Sequence, residues 1–464
     1  MTGWRRMVRS AAWLGAALIV AVPVAYGALF PVPTRFAADE AHFKYGSVGV
    51  EAAQGVPYEV WRTLPGLCLP PAEREAGYRK FGMLFEDGHD SPIGMPLETA
   101  IVPRVGINCA LCHVGRVAGP DGALRTLVGA PNTSLNLQAY LRFLFACVGS
   151  DRFTADAVLA ENARLGGVLN PVQRALYRYA IIPQMKAAIA DQARETAFMA
   201  GQSDWGPGRA PGFQPAKIHV LGQPFDGTLD VVDIPSLWAM QAREGQGLHW
   251  DGANSSLHEV FLSSGIGNGA TGATIDLPSL ARNEAWVRRL LAPAFPWPID
   301  AARARAGRAV YAASCAACHA PGGERTGQVI PLRMAGTDRN RSDAFTPATA
   351  EGFAALSVYS WRYAGFRKTG GYITGPLDGI WARAPYLHNG SVPTLAALLT
   401  PPAARPTRFG RGGTRYDPVA VGFAGDSGVV FDTSLLGNAA TGHDWGTDLP
   451  ETDKRALIEY LKTL

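Results

Sequence analysis

The sequence is poor in residues that bind metal ions or cross-link a chain: it has 6 cysteines, 8 methionines and 9 histidines in 464 residues. Charged residues make up only 18%, and the formal net charge is +4. So small a charge gives no indication of nucleic-acid binding, and we predict no nucleic-acid partner. Glycine (53) and proline (34) are plentiful, which predicts long loops between helices rather than continuous sheet. The length predicts two or three domains.

Four of the six cysteines lie in two Cys-x-x-Cys-His motifs, Cys109–His113 and Cys315–His319. In such a motif the thiols attach covalently to a c-type haem, and the histidine is the proximal iron ligand. A single copy would also fit half of a zinc site or a thiol redox pair. A four-cysteine zinc site would leave both histidines unexplained, so we predict two covalently bound c-type haems. The predicted attachment and ligand residues are Cys109, Cys112, Cys315, Cys318, His113 and His319.

The two remaining cysteines are Cys68, in a proline-bounded loop, and Cys147. Apolar residues recur at helical spacing over residues 134–148, which predicts an amphipathic helix that carries Cys147. Spare cysteines often pair outside the cytoplasm. A Cys68–Cys147 disulfide and two buried free thiols are both open.

Residues 1–32 contain basic residues followed by an apolar stretch from Ala11 to Phe30. About twenty apolar residues suffice to span a bilayer, so we predict one N-terminal transmembrane helix. A cleaved signal peptide is the alternative, with a small-x-small site at 25–27. In both interpretations the chain after residue 32 is exported from the cytoplasm. It would lie on the periplasmic side of the bacterial inner membrane, or in the periplasm or secreted after cleavage.

The second haem needs a sixth ligand, usually methionine or histidine. The last methionine is Met334, and only His388 and His443 follow the second motif as histidines. His388 lies in a loop that is bounded by prolines, contains glycine and precedes a helix, and we predict it as the ligand. Bis-histidine ligation would make this haem an electron relay. Met334, His443 and an open site are the alternatives.

The first haem has no histidine or methionine between His113 and Met185. A sixth ligand would come from upstream (His89, Met83 or Met95) or from the middle of the chain. An open iron can bind peroxide or dioxygen, and we predict such an iron here.

The stretch 249–259 (HWDGANSSLHE) concentrates two histidines, a tryptophan and an aspartate. It also predicts a turn and a helix capped from Ser255 or Ser256, with Glu259 completing a capping box. The proline-rich segment 293–298 predicts a domain boundary. We therefore expect an anchor or signal segment over 1–32, an N-terminal haem domain with an extended middle segment over 40–292, and a C-terminal cytochrome c-like domain over 300–464. We expect helices near 300–313 and 451–464 to cross each other beside the haem of this C-terminal domain.

Three features together resemble the di-haem cytochrome c peroxidase superfamily, which includes MauG-type enzymes and rubber oxygenases. They are the two haem motifs, the Trp250–Gly252 stretch between them and the Ala384–Leu395 stretch after the second. The resemblance covers roughly residues 100–120, 230–270 and 300–464. It implies one haem as electron relay and one as reaction centre. It also implies that Trp250 lies between the haems and acts in catalysis by helping electrons pass.

The sequence departs from the typical peroxidases at three points. No histidine lies between His113 and His219, and no methionine follows Met334. Their acid–base glutamate would fall near 269–272 (GATG), and the nearest glutamate here is Glu259. The presence of a histidine at position 388 makes the sequence more similar to the rubber oxygenases than to the typical peroxidases. Residues 319–388, however, lack the long insertion that the rubber oxygenases carry.

The expected fold is mainly α: two cytochrome c-like haem domains with long irregular loops, preceded by one transmembrane or signal helix. The expected function is that of an exported, membrane-tethered di-haem c-type cytochrome oxidoreductase, an enzyme of peroxidase or oxygenase type. Electrons would pass through the C-terminal haem to the reactive N-terminal haem. The donor would be a small redox partner protein or a quinol-linked donor. The alternative is a plain electron carrier with both haems six-coordinate and no catalysis.

Overall fold

The computed structural model describes residues 33–464 apart from 99, 101 and 358. The predicted membrane or signal segment, 1–32, lies outside the described residues. None of the described helices combines the length and the hydropathy that crossing a bilayer requires.

The α-helices are α1 Asp39–Tyr45, α2 Val50–Gln54, α3 Tyr58–Trp61, α4 Leu64–Cys68, α5 Ala110–His113, α6 Leu137–Gly149, α7 Ala155–Arg164, α8 Pro171–Leu176, α9 Ile182–Glu195, α10 Leu257–Gly267, α11 Leu277–Arg288, α12 Ala301–Ser314, α13 Ala316–His319, α14 Leu332–Ala335, α15 Asn340–Ala344, α16 Pro347–Ala355, α17 Leu395–Leu398 and α18 Glu451–Leu461.

The described strands form six separate antiparallel pairs rather than a continuous sheet, as the glycine and proline content predicts. The pairs are β1 (Val56–Pro57) with β2 (Arg104–Val105), β3 (Val114–Ala118) with β4 (Leu124–Val128), β5 (Arg209–Pro211) with β6 (Val231–Asp233), β7 (Val329–Pro331) with β8 (Gly371–Ile373), β9 (Arg408–Gly412) with β12 (Gly428–Asp432), and β10 (Tyr416–Asp417) with β11 (Gly422–Phe423). Long loops therefore connect short elements, and packing rather than sheet continuity positions the site.

The first half of the chain is cross-linked around the first haem motif. The predicted amphipathic helix is α6, which begins after Asn136, whose side chain accepts a hydrogen bond from Ala139 N. Its Cys147 forms a disulfide with Cys68 at the end of α4, across a Cα–Cα distance of 5.6 Å. The disulfide interpretation of the two spare cysteines is therefore confirmed. The loop that it closes contains the whole first motif.

The second half is closed by the two helices predicted at its ends. Helix α12 runs directly into the second motif, and α18 packs across it. The helices approach closely at Gly307, where a Cβ atom would collide with the carbonyl oxygen of Ala456. Leu457 and Leu461 of α18 lie in one apolar cluster with Tyr311 of α12. This crossed pair confirms the sequence prediction for the C-terminal region.

Buried ion pairs join the middle segment to the C-terminal half. Arg341 in α15 binds Asp230 (3.0 Å) and Asp251 (3.1 Å), and all three side chains are almost fully buried. Arg411 in β9 binds Asp233 at the end of β6 in the same way. Paired charges at this depth are favourable only when both partners are present, so these contacts fix the position of residues 230–251.

Candidate functional site

The first motif presents its histidine from a short helix that ends at His113. The Nδ1 atom of His113 donates a hydrogen bond to the carbonyl oxygen of Pro235, at 2.9 Å. Such a bond fixes both the tautomer and the ring orientation and leaves Nε2 free as a metal ligand. Pro235 follows β6, so the middle segment orients the histidine of the first motif.

The second motif repeats this arrangement with a different partner. The Nδ1 atom of His319 donates to the carbonyl oxygen of Gly375, at 2.9 Å, just after β8. The ring of His443 lies opposite, with the two ring centroids 6.3 Å apart. Two imidazole nitrogens bonded to one metal at about 2 Å each separate the ring centres by roughly 6 Å. The separation therefore fits a haem iron between His319 and His443.

The three histidines are in the protonation state that binds a metal. Burial lowers the pKa of His113 and of His443 to about 4, and it also lowers the pKa of His319. At neutral pH each ring is therefore uncharged and carries one nitrogen lone pair.

His388 as the sixth ligand of the second haem stays a prediction: its Nε2 atom is buried and has no hydrogen-bond partner. The ring of His388 stacks on Tyr372, with centroids 4.0 Å apart, and its Nε2 atom points towards Asp338 at 3.9 Å. His443, one of the alternatives from the sequence, has its ring centroid 6.3 Å from that of His319. Met334, another alternative, is 47% exposed. The proline-bounded loop that contains His388 holds the backbone of the middle segment, because the carbonyl oxygen of His388 accepts a hydrogen bond from Asp233 N.

Burial raises the thiol pKa of all four motif cysteines, unlike the surroundings of a thiol redox pair. None of them is in a disulfide. Burial raises the pKa of Cys109 to about 11, of Cys112 to about 12 and of Cys315 to about 11, whereas redox-active motifs lower it. Among the described residues, no three side chains of histidine, cysteine, aspartate or glutamate converge on a metal position.

Trp250 connects the two segments that orient the haem histidines. Its Nε1 atom donates to the carbonyl oxygen of Asp233 (2.7 Å), two residues before the Pro235 carbonyl that holds His113. Its own carbonyl oxygen accepts from Ile373 N (2.8 Å), two residues before Gly375. Trp250 is thus fixed between the two segments whose carbonyls, at Pro235 and Gly375, orient the histidines of the two motifs.

The neighbours of Trp250 have structural partners. Asp251 binds the buried Arg341, and Ser256 caps α10 by accepting a bond from Glu259 N. The predicted capping box is only half formed, because the Glu259 carboxylate turns away to accept bonds from Ala364 N and Gly365 N. That carboxylate therefore has no free position from which to serve as an acid or base.

The two motifs differ in their access to solvent. Between the cysteines of the first motif, Ala110 and Leu111 are only 1% and 2% exposed. In the second motif, Ala317 is exposed, and so are the residues 312–314 that lead into it. Among the described residues, no aromatic or histidine ring pairs with His113 as His443 does with His319. The residues between the cysteines are therefore more buried in the first motif than in the second, whereas the four cysteines and both histidines are half-buried.

Both motifs fit the covalent haem that their sequence requires. Each provides two unpaired thiols, and each has a histidine whose free nitrogen is set by a backbone carbonyl. Cys109, Cys112 and His113 would hold the first haem. The second haem would be held by Cys315, Cys318, His319 and His443.

Comparison with known families supports this assignment for the C-terminal half. Residues 302–357, which include the second motif, match the family described as cytochrome C oxidase, cbb3-type, subunit III. Residues 371–410 match the RoxA-like, cytochrome c-like family. The chain therefore contains c-type cytochrome sequence, which implies covalently bound c-type haem and haem-based electron transfer.

Two curated proteins of Sinorhizobium fredii are similar to parts of the chain. The uncharacterized protein y4iM is 32% identical over 284 residues, which cover 50% of this chain and 64% of that protein. The uncharacterized protein y4iJ is 44% identical over 115 residues, which cover 22% of this chain and 19% of that protein. The chain thus matches less than two thirds of the length of either relative.

Proposed function

We propose that this c-type cytochrome is a di-haem oxidoreductase. In it, electrons enter at the haem of Cys315 and Cys318 and reach an open iron at the haem of Cys109 and Cys112. A haem held in this way supplies an iron that passes single electrons and, where a coordination position is free, binds peroxide or dioxygen. The reaction would be of peroxidase or oxygenase type.

The observation that carries the proposal is the difference between the two histidine environments. The ring centroids of His319 and His443 are 6.3 Å apart, a separation at which both rings would hold one iron and which favours a six-coordinate relay. The ring of His113 has a backbone carbonyl as its one hydrogen-bond partner, and burial is the main influence on its pKa. The exposed residues at and before Ala317 suit electron entry from a partner at the second motif.

The protein's own residues orient and connect the two centres. The carbonyls of Pro235 and Gly375 hold the two proximal rings in one tautomer each. The indole of Trp250 is fixed between those supports and offers a π-system through which electrons can pass. We infer an electron donor that docks on the exposed second motif, either a small redox protein or a quinol-linked donor. We place the protein on the periplasmic side of the inner membrane, or free in the periplasm or secreted.

Electron paramagnetic resonance of the resting ferric protein, with carbon monoxide binding after reduction, tests this proposal. We expect one high-spin and one low-spin haem, and carbon monoxide on one iron. His443→Ala should convert the low-spin haem to high-spin and create a second carbon monoxide site. The matched control His388→Gln, also at a buried histidine, should leave the low-spin signal in place. Loss of that signal in His388→Gln alone would overturn the assignment of His443.

A plain electron carrier remains the second candidate, because one observation favours it. The carboxylate of Glu259, the nearest glutamate to the position of a peroxidase acid–base group, is engaged by backbone amides. Met83 and Met95 lie in one apolar cluster with Leu111 of the first motif, so a thioether is close to this region. Two low-spin haems and no carbon monoxide binding in the wild-type protein would establish the carrier and exclude the enzyme.

A further inference from the structure

Two arginines that the function described so far does not use converge beside the second motif. The guanidinium of Arg383 donates from Nη1 to the carbonyl oxygen of Pro376 (3.0 Å) and from Nη2 to that of Asp378. Pro376 is adjacent to Gly375, whose carbonyl holds the ring of His319. Arg383 is therefore fixed on the same loop that orients the haem histidine.

Arg243 reaches this loop from the middle segment. Its Nη2 atom donates to the carbonyl oxygen of Gly247 (3.2 Å), and Gly247 lies against the side chain of Ile373. The neighbouring Gln246 packs against Gly327, whose backbone N–H donates to the carbonyl of Thr374. The turn that carries Arg243 thus lies along residues 373–376.

Both guanidiniums lack the anion that their burial requires. The Nε atoms of Arg243 and Arg383 are buried and have no hydrogen-bond partner. In the described part of the chain, neither arginine has a carboxylate within ion-pair distance, and Asp378 meets Arg383 through its backbone carbonyl. Burial, and to a smaller extent the charge of Arg243, lowers the pKa of Arg383 to about 10. Both side chains are half-buried, and a charge that is partly removed from water without a partner is costly, so an external anion would stabilise this pair.

We propose that Arg243 and Arg383 form a binding site for the propionate carboxylates of the haem attached at Cys315 and Cys318. A c-type haem brings two carboxylates, and the guanidinium fork matches carboxylate geometry better than any other side chain does. Because Arg243 belongs to the middle segment and Arg383 to the C-terminal half, the haem would join the two parts of the chain. The site requires the second haem of the proposed function and is independent of any reaction at the first.

The midpoint potential of the low-spin haem in Arg243→Gln, Arg383→Gln and the double variant tests this assignment. Ferric haem carries one more positive charge than ferrous haem, so removing a nearby positive charge stabilises the ferric form. We expect a lower potential in each single variant and a larger decrease in the double variant. The control is Arg333→Gln, at an exposed arginine of the same half, which should leave the potential unchanged.

Resonance Raman spectra separate a propionate contact from a general effect of charge. The propionate bending modes should shift in Arg383→Gln and also in Arg383→Lys, which keeps the charge but loses the fork. Arg383→Lys should keep more of the wild-type potential than Arg383→Gln. The low-spin signal of His319 and His443 should persist in every variant, which shows that the fold is intact. If a variant fails to fold, the lysine variant at the same position carries the test.

Three outcomes would overturn the assignment. The first is an unchanged potential with unchanged bending modes in the double variant. The second is an equal potential shift in Arg333→Gln. The third is a wild-type potential that changes when acetate replaces chloride at constant ionic strength, because the arginines would then bind a dissolved anion. A haem count of one per chain, with none on Cys315 and Cys318, would instead contradict the proposed function itself.

Discussion

His443 adopts a backbone conformation that L-residues rarely occupy, with φ of 50°. Such a conformation costs about 1–3 kcal/mol and persists only where the surrounding structure imposes it. Gly442 precedes it with φ of 72°, and a Cβ there would collide with the carbonyl of Ala335. The backbone N–H of His443 donates to that same carbonyl, which directs its ring towards His319. The Gly442–His443 pair is the local sequence feature that allows this backbone conformation.

Sequence reasoning preferred His388 because its loop carries stronger local signals. Those signals are real, but they describe a turn whose backbone and neighbouring side chains hold the middle segment in place. Asn389, for example, donates to the carbonyls of Gly437 and Ala439. Haem attachment depends on a contiguous motif and could be predicted from sequence. The approach of His443 to His319 depends on how residues more than a hundred positions apart fold together, and it could not.

Glu51 allows a prediction about pH. Its side chain is buried, its Oε2 atom has no hydrogen-bond partner, and burial raises its pKa to about 7 from 4.5. The native state therefore holds the proton more tightly than the unfolded chain, so stability should fall as pH rises from 4.5 towards 7. Glu51→Gln should remove this loss and raise the free energy of unfolding at pH 8 by up to about 3 kcal/mol.

Urea unfolding at pH 5 and pH 8 measures the effect. The control Glu351→Gln, at an exposed glutamate, should unfold as the wild type does at both values. Equal stabilisation by Glu51→Gln at the two pH values would contradict the titration argument.

Trp250→Phe keeps an aromatic ring but removes the N–H that donates to the Asp233 carbonyl. The unpaired carbonyl should lower the free energy of unfolding by about 1–2 kcal/mol. Stopped-flow reduction should show slower electron transfer from the second haem to the first. Trp445→Phe, at a tryptophan that is 42% exposed and lies near His443, is the control and should transfer electrons at the wild-type rate. Wild-type kinetics in Trp250→Phe would remove the indole from the electron path.

At the level of elements, the helices predicted by periodicity are present. Helix α6 begins at Leu137 rather than at 134, because Asn136 ends the preceding loop by capping the helix. Helices α12 and α18 lie close to their predicted bounds, since amphipathic patterns and caps are local. The ion pairs of Arg341 and Arg411 were not foreseen, because opposite charges far apart in sequence give no periodic signal.

The disulfide between α4 and α6 yields a prediction for these elements. It closes a sequence separation of 79 residues that includes the first haem motif. The double variant Cys68→Ala, Cys147→Ala should lower the free energy of unfolding by about 2–4 kcal/mol, because the unfolded chain gains freedom. Thermal unfolding with both haems attached measures this. The haem count should stay unchanged, and an unchanged melting temperature would show that packing alone holds these helices together.

At the level of the whole molecule, Arg341 joins the middle segment to the C-terminal half. Arg341→Gln leaves Asp230 and Asp251 buried without their partner, and it should cost about 3–5 kcal/mol of stability. Denaturant unfolding measures the loss. Arg339→Gln, two residues away at an exposed arginine paired with Asp343, should change stability by less than about 1 kcal/mol. Similar losses in both variants would show that the buried pairs are not special.

The hydrogen bonds of Trp250 have a thermodynamic consequence if both motifs carry a haem, as we propose. Its indole bonds to Asp233, two residues before Pro235, and its backbone carbonyl bonds to Ile373, two residues before Gly375, so we expect a displacement at one haem histidine to affect the other. Coupling between two equilibria is reciprocal. A small molecule that binds the first iron should therefore shift the midpoint potential of the second. Reduction of the second iron should in turn change the affinity of the first by the same free energy, so titrating either centre measures the communication between them.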